Sequence, residues 1–278
     1  MTTSFVPGTH IEIVRSTQDR GRVRSALFDF DGTLSLIRQG WQTVMIPMMV
    51  EILRKSTPTD ESDEELTDVV TEFVTRTTGK QTIYQMIQLA EEVTARGGAA
   101  LDPRDYKAEY LARLWTHIRG RVADLKEGRR PIESFLVPGA RQVLEGLRER
   151  SVVCYLASGT DHPYVVDEAQ ALGLAEFFAG GIYGAQEDYE SSSKRLVIAH
   201  ILRTHTLAGP ELVTFGDGFV EIEDTVAAGG ITVGVATDEE RREGIDAWKR
   251  ERLIAAGAHV IVPDFGEHEA LLTYLCGA

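Results

Sequence analysis

The sequence predicts an α/β protein, a doubly wound parallel sheet with an all-α domain inserted after the first strand. Three observations carry this. From Pro138 onward, short apolar runs alternate with helical patterns, the order that builds right-handed crossovers around a parallel sheet. A lone run of the same kind, "SALFDF" at Ser25–Phe30, stands near the N-terminus. Between them, from about Leu36 to Phe135, helical patterns follow one another with no convincing strand.

In chain order, "SALFDF" breaks into "DGT", as a buried strand ending in a loop does. "GWQTVMIPMMVEILRKS" predicts a helix kinked or restarted at Pro47. "DESDEELTDVVTEFVTRTTG" opens on acids and closes at Gly79, the expected polarity of a helix. "KQTIYQMIQLAEEVTARGG" and "DPRDYKAEYLARLWTHIRGRV" complete the block, with Pro103 in a first helical turn. A block of this length is too long for a loop inside a compact domain, so it reads as a helical domain over the ligand-binding face. The expected organisation is a core of residues 1–34 and 136–278 and an inserted domain of residues 35–135. Later strands are expected at "VVCYLA", "GGIYGA", "ELVTF", "ITVGVA" and "AHVIV". Helices are expected at "GARQVLEGLRER", "HPYVVDEAQALGL", "SSKRLVIAHILRTH", "VEIEDTVAAGG" and "EGIDAWKRERLIAAG".

The bulk numbers narrow the function. The 278 residues carry 29 basic and 43 acidic side chains, a net charge of −14, which argues against nucleic acid and anionic membranes as partners. An anionic substrate then needs a local positive site. No apolar run approaches a membrane span, and "MTTSFVPGTHIEIVRSTQDRGRVRS" has no apolar core of the signal-peptide kind. Cys154 and Cys276 offer neither a disulfide framework nor metal-ligand spacing, and a reducing cytoplasm is the expected compartment.

Parallel sheets bind ligands beyond the C-terminal ends of their strands, so the residues there matter most. At the first such end stand Asp29 and Asp31, two apart on an extended segment and therefore on one side of it. Like charges so close call for a cation, or for a proton on one of them. Asp-Gly is also a common turn pair, but the apolar strand before Asp29 argues against a solvated turn. Ser158 in "LASGT" offers a hydroxyl, and the amides of Gly159 and Thr160 precede a helix, a setting for an anion as well as for plain capping. Lys194 in "SSSK" opens another helix, where a lone lysine is ordinarily solvated yet opposes the helix dipole and wants an anion. The stretch "FGDGFVEIED" aligns Asp217, Glu221 and Asp224 on one face at spacings of four and three. Glu223 falls off that line and suits the helix start. Oxygen-only ligands favour Mg²⁺.

The ordered set "DFDGTL" at 29–34, Ser158, Lys194 and "GDGFVE" at 216–221 resembles the haloacid dehalogenase (HAD) superfamily over nearly the whole chain. That resemblance implies a Rossmann-like core with a helical cap of the C1 type. It implies Asp29 as nucleophile, Asp31 as general acid/base, and Mg²⁺ held by Asp29, the Asp31 carbonyl, Asp217 and Glu221. Ser158 and Lys194 would hold the phosphoryl oxygens, with Thr33 assisting. Many relatives carry aspartate where this chain has Glu221, which leaves open whether Glu221 meets the metal directly or through water. The presence of Asp31 implies a phosphoric monoester hydrolase acting on a small phosphorylated metabolite, such as a sugar or polyol phosphate. A phosphomutase of the β-phosphoglucomutase type is the alternative, and a non-catalytic metal- or phosphate-binding module is a third. Substrate choice is expected in the cap region, at Ser35, Arg38 and "TGKQT", where Lys80 meets a substrate anion or simply belongs to a capped helix start. Trp41 reads as packing, and "DEERREG" and "AWKRERL" as a solvated helix surface.

Overall fold

A computed structural model describes residues 4–16, 20–186, 188 and 193–277. Its chain divides into two compact units, Met1–Gln39 with Leu125–Ala278, and Gly40–Asp124.

The first unit is built on an eight-stranded sheet. Its strands are β1 (Ser4–Phe5), β2 (Glu12–Ile13), β3 (Ser25–Phe28), β4 (Val153–Asp161), β5 (Ile182–Ala185), β6 (Leu212–Gly216), β7 (Ile231–Val235) and β8 (Val260–Val262). The order is β1-β2-β8-β7-β6-β3-β4-β5. From β8 to β5 every pairing is parallel, and β2 joins β8 antiparallel. Parallel strands need both faces covered, which is why β3, β6, β7 and β8 are buried along their whole length. The chain runs outward from β3 through β4 to β5. It then returns to the other side of β3 for β6, β7 and β8, so the direction of winding reverses between β3 and β6. Phe28 and Phe215 are register partners across that junction and stack with ring centroids 4.5 Å apart, with Phe265 against the edges of both. This aromatic floor fixes the two strand ends that carry the candidate site.

Within the first unit, residues 34–37 and 135–137 pair, the Leu36 N–H donating to Phe135 O (2.8 Å) and the Val137 N–H to Leu34 O (3.0 Å). The helical unit holds α1 (Gln42–Ser56), α2 (Asp63–Thr77), α3 (Thr82–Ala95) and most of α4 (Pro103–Lys126). In α2, Leu66, Val70, Phe73, Val74 and Thr77 are buried at helical spacing. Its start is fixed by a capping box between Ser62 and Glu65. Helix α1 runs on through Pro47, so of the expected kink or restart the restart does not occur.

The core helices are α5 (Ala140–Glu149), α6 (His162–Ala171), α7 (Lys194–Thr204), α8 (Phe219–Ala227), α9 (Ala247–Ala256) and α10 (His268–Cys276). The strands β1 and β2 and the helix α10 were not expected from the sequence. Among the described residues, no helix is long and apolar enough to cross a membrane.

Candidate active site

The site lies beyond the C-terminal ends of β3 and β6, where the winding reverses and a crevice opens between diverging connections. Asp29 follows β3 directly, and its backbone N–H donates to Phe215 O of the neighbouring strand at 2.9 Å. Asp217 follows β6, and Glu221 sits in the first turn of α8. One oxygen from each of Asp29, Asp217 and Glu221 lies within 4.8 Å of the others. Two glycines permit this approach. A Cβ on Gly32, whose φ is +79°, would sit 2.2 Å from Asp217 Oδ2, and one on Gly216 would sit 2.2 Å from Glu221 Oε1.

Lys194, at the start of α7, reaches into the cluster. Its Nζ donates to Asp29 Oδ1 at 2.6 Å and to Glu221 Oε2 at 2.8 Å. All three side chains are buried. Burial raises the Asp29 carboxyl well above its usual range, and the Lys194 ammonium draws it back down. The same burial raises Glu221, again opposed by Lys194. Burial would by itself lower Lys194, but the two carboxylates more than reverse that and hold it protonated. Ser193 caps α7 by accepting the Leu196 N–H (3.3 Å), while Ser191 and Ser192 lie outside the described residues. Glu221 Oε1 also accepts the Gly218 N–H at 2.8 Å, so this side chain closes the start of α8 as well as facing Lys194.

Asp31 occupies a different polar environment. Its Oδ2 accepts from Thr160 Oγ1 at 2.9 Å and from Ser158 Oγ at 3.3 Å. Burial raises its carboxyl, with Arg38 and the Thr160 hydroxyl opposing the rise. Strand β4 extends through Asp161 and α6 begins at His162, so "SGT" precedes a helix as expected but is itself extended strand. The Thr160 amide, expected to face an anion, donates instead to Ser158 Oγ (3.1 Å). Gly159 lies between them and is half-buried.

The remaining expected site residues divide. Thr33 is fully buried and its Oγ1 donates to Asp217 Oδ1 at 3.4 Å. Arg38 is paired within the core unit: its Nη2 and Nε donate to the two Glu168 oxygens at 2.6 and 3.3 Å. A guanidinium so engaged does not offer the free positive site expected of it. Lys80 belongs to the helical unit, where it is exposed and its Nζ lies 5.9 Å from the Tyr84 ring centroid. It precedes the first residue of α3 by two positions rather than opening the helix. Asp224 is half-buried, and burial raises its carboxyl against the pull of Arg195. Glu223 is exposed.

Three contributors went unread in the sequence. Lys249, on α9, donates to Asp217 Oδ2 at 2.8 Å and to Glu239 Oε1 at 2.6 Å. Burial would lower Lys249, but these two acids raise it overall. Glu239 is raised by burial and drawn down by Lys249. Both residues lie in segments expected to form a solvated surface. Charge patterning along one segment does not reveal a partner 32 residues away. Glu168, on α6, is the third.

The chemistry of the donor set fits a hard divalent cation. The cluster offers three carboxylates and no nitrogen or sulfur ligand, and the ammonium groups of Lys194 and Lys249 offset part of its charge. Asp29, Asp217 and Glu221 are the residues that would hold it.

The family pattern described as haloacid dehalogenase-like hydrolase matches residues 23–229. Among curated proteins none matches the chain. A predicted phosphoglycolate phosphatase from Haemophilus somnus is similar in structure (TM-score 0.58, 15% identity), with 90% of this chain and 98% of that one covered. So is β-phosphoglucomutase from Clostridium difficile (TM-score 0.59, 13% identity, 88% and 92% covered). CbbY from Rhodobacter sphaeroides, solved as a mutant in complex with xylulose-(1,5)bisphosphate, gives a TM-score of 0.55 at 17% identity, with 88% and 96% covered. At these identities the likeness is one of fold. The match of the family pattern spans well over half of the 278 residues, and the chain belongs to the haloacid dehalogenase-like hydrolases.

Proposed function

We propose that the protein is a Mg²⁺-dependent phosphatase that hydrolyses a small phosphomonoester, such as a sugar or polyol phosphate, through a phosphorylated Asp29. The observation that carries this is the separation of two aspartates only two residues apart. Asp29 faces a lysine and two further acids, whereas Asp31 faces hydroxyls and a guanidinium. One carboxylate thus stands beside a cation and two acids that could share a metal ion with it, and the other where it can hold or release a proton. The similar phosphoglycolate phosphatase and β-phosphoglucomutase structures support the same reading.

Bound at Asp29, Asp217 and Glu221, Mg²⁺ would supply charge neutralisation to the phosphoryl oxygens. The chain's own residues account for the rest. A carboxylate oxygen of Asp29 attacks phosphorus in line, and the bond to the leaving oxygen breaks with its electron pair on that oxygen. Asp31, in its acid form, gives the leaving alkoxide a proton. The Lys194 ammonium offsets negative charge beside Asp29, and Ser158 lies within reach of the same region through its contact with Asp31. Asp31, now ionised, takes a proton from the water that attacks phosphorus; the bond from phosphorus to Asp29 breaks with its electron pair on the Asp29 oxygen, releasing inorganic phosphate and restoring Asp29 and the acid form of Asp31. The two unpaired cysteines support placing this activity in a reducing cytoplasm.

The test is a panel of phosphorylated metabolites with and without Mg²⁺. Wild-type protein should release inorganic phosphate with Mg²⁺, and Asp29→Asn should lose at least about 1,000-fold while keeping its fold. Unchanged turnover in Asp29→Asn would end the mechanism. Activity that depends on a bisphosphate primer and returns phosphate to the substrate would make the enzyme a mutase.

A further inference from the structure

Asp31 is held on one side only. Its Oδ2 takes two hydroxyl hydrogen bonds, while its Oδ1 is buried and accepts none from the described residues. A buried carboxylate oxygen without a donor can swing about the Cβ–Cγ bond unless something fixes it. What faces it is Arg38, whose Nε lies 3.7 Å from Oδ1, an ion-pair distance rather than a hydrogen bond.

Arg38 is itself immobilised. Glu168 grips the guanidinium through both carboxylate oxygens, by Nη2 and by the same Nε that is nearest Asp31 Oδ1, and the Arg38 and Glu168 side chains are 9% and 6% exposed. The Tyr164 ring, one turn earlier on α6, lies 5.7 Å from the guanidinium carbon. Bidentate pairing fixes the plane of the guanidinium, which a lysine would not do. So a rigid cation, anchored to α6, stands next to the one oxygen of Asp31 that no hydroxyl holds.

We propose that Arg38, anchored by Glu168, is a positioning residue that sets the orientation of the Asp31 carboxyl for proton transfer to the leaving group. This rests on the reading of Asp31 as the general acid. Attraction at Oδ1 keeps that oxygen turned toward Arg38 and leaves Oδ2 to the hydroxyls and the crevice. Arg38 touches neither substrate nor reacting atoms in this role. The proton moves from Asp31 to the leaving oxygen as the P–O bond breaks, and Arg38 neither gains nor loses one.

The experiment compares kcat/KM for phenyl phosphate and 4-nitrophenyl phosphate in the Mg²⁺-loaded wild type, Asp31→Asn, Arg38→Met, Arg38→Lys and Glu168→Gln. Phenoxide is a poor leaving group that needs a proton, and 4-nitrophenoxide needs one much less. Loss of a well-placed acid should cost about 100-fold on phenyl phosphate and under about 5-fold on 4-nitrophenyl phosphate. Arg38→Met should reproduce that pattern in kcat with KM nearly unchanged. Glu168→Gln should show a milder form of it, and Arg38→Lys should recover little because it lacks the planar fork. Equal losses on both substrates, or an effect confined to KM, would overturn the proposal by making Arg38 structural or substrate-binding. Should Arg38→Met not fold, Glu168→Gln, which keeps its shape, decides by the same comparison. A flat response in Asp31→Asn removes the reading of Asp31 as acid, and a selective response in Asp31→Asn with none in Arg38→Met or Glu168→Gln removes the positioning role alone. A wild type that hydrolyses neither ester sinks both together.

Discussion

Lys249 shows how strongly single residues in this site depend on partners far along the chain. It sits between Asp217 and Glu239 with its side chain only 12% exposed. Replacing it with methionine would leave two largely buried acids without their counter-charge, which typically costs about 3 kcal/mol or more. Lys249→Met should therefore lower the denaturation midpoint of the cation-free protein. Mg²⁺ should restore part of the loss, because the cation can take over some of the balance at Asp217. Urea unfolding with and without Mg²⁺ measures this, and a midpoint insensitive to the substitution would show the pair to be incidental. Nothing in the local pattern around Lys249 announces this role. Asp29 and Asp217 were legible because each directly follows a strand whose end points at the ligand crevice, and Glu221 because it stands four residues after Asp217 at a helix start. Lys249 and Glu168 lie within helices, where only the tertiary packing decides what they face. Arg38 was legible as a residue near the site, but its role depends on Glu168, which the pattern of α6 does not distinguish from a surface acid.

At the level of elements, the segment leading into α2 carries an acid-sensitive clasp. The Arg96 guanidinium, at the end of α3, hydrogen-bonds Glu61 through Nε and Nη2 and, with help from the Thr59 hydroxyl, brings its carboxyl down to about 2. Glu61 in the unfolded chain titrates near about 4.3. Its contribution is therefore complete above about pH 4.5 and is lost as the pH falls through about 2. Glu61→Gln should reduce stability at pH 7 by no more than about 1 kcal/mol, since the pair is partly solvated, and should cost nothing near pH 2. Thermal melts of wild type and variant across that range would converge as expected or refute the clasp. Helices were easily read here because capping residues and buried positions repeat at the right spacing, as in Ser62, Glu65 and the Leu66–Val70–Phe73 stripe. Strand β4 was read short because "SGTD" has the composition of a turn. Its backbone nonetheless stays extended, with a register shift against β5 between Ala157 and Asp161.

For the whole molecule, the sheet core and the helical insertion followed from alternation and from the long strand-free block, because both are written in local patterns. The N-terminal strands were missed since each is two residues long and has no periodicity to show. They matter to the architecture all the same. Glu12 on β2 is buried and binds Arg250 on α9 through both oxygens, at 2.6 and 2.7 Å, one residue from Lys249. Deleting residues 1–16 would expose the edge of β8 and free that helix. The truncated protein should melt lower and self-associate through the exposed strand, as light scattering after size exclusion would show. A monomer of unchanged stability would mean that the strands are dispensable.

The position of β3 carries one more consequence, for how the chain comes off the ribosome. The strand bearing Asp29 pairs only with β4 and β6, which begin at Val153 and Leu212. At synthesis rates of about 5–20 residues per second, β3 waits on the order of ten seconds for its first neighbour. During that interval the apolar "SALF" has no sheet to join, while the helices of 40–124, whose contacts are local, can already form. The strand that anchors the chemistry thus waits longer for a parallel neighbour than any other strand of the sheet, and the helical unit has its chance to fold before the core that supports the reaction exists.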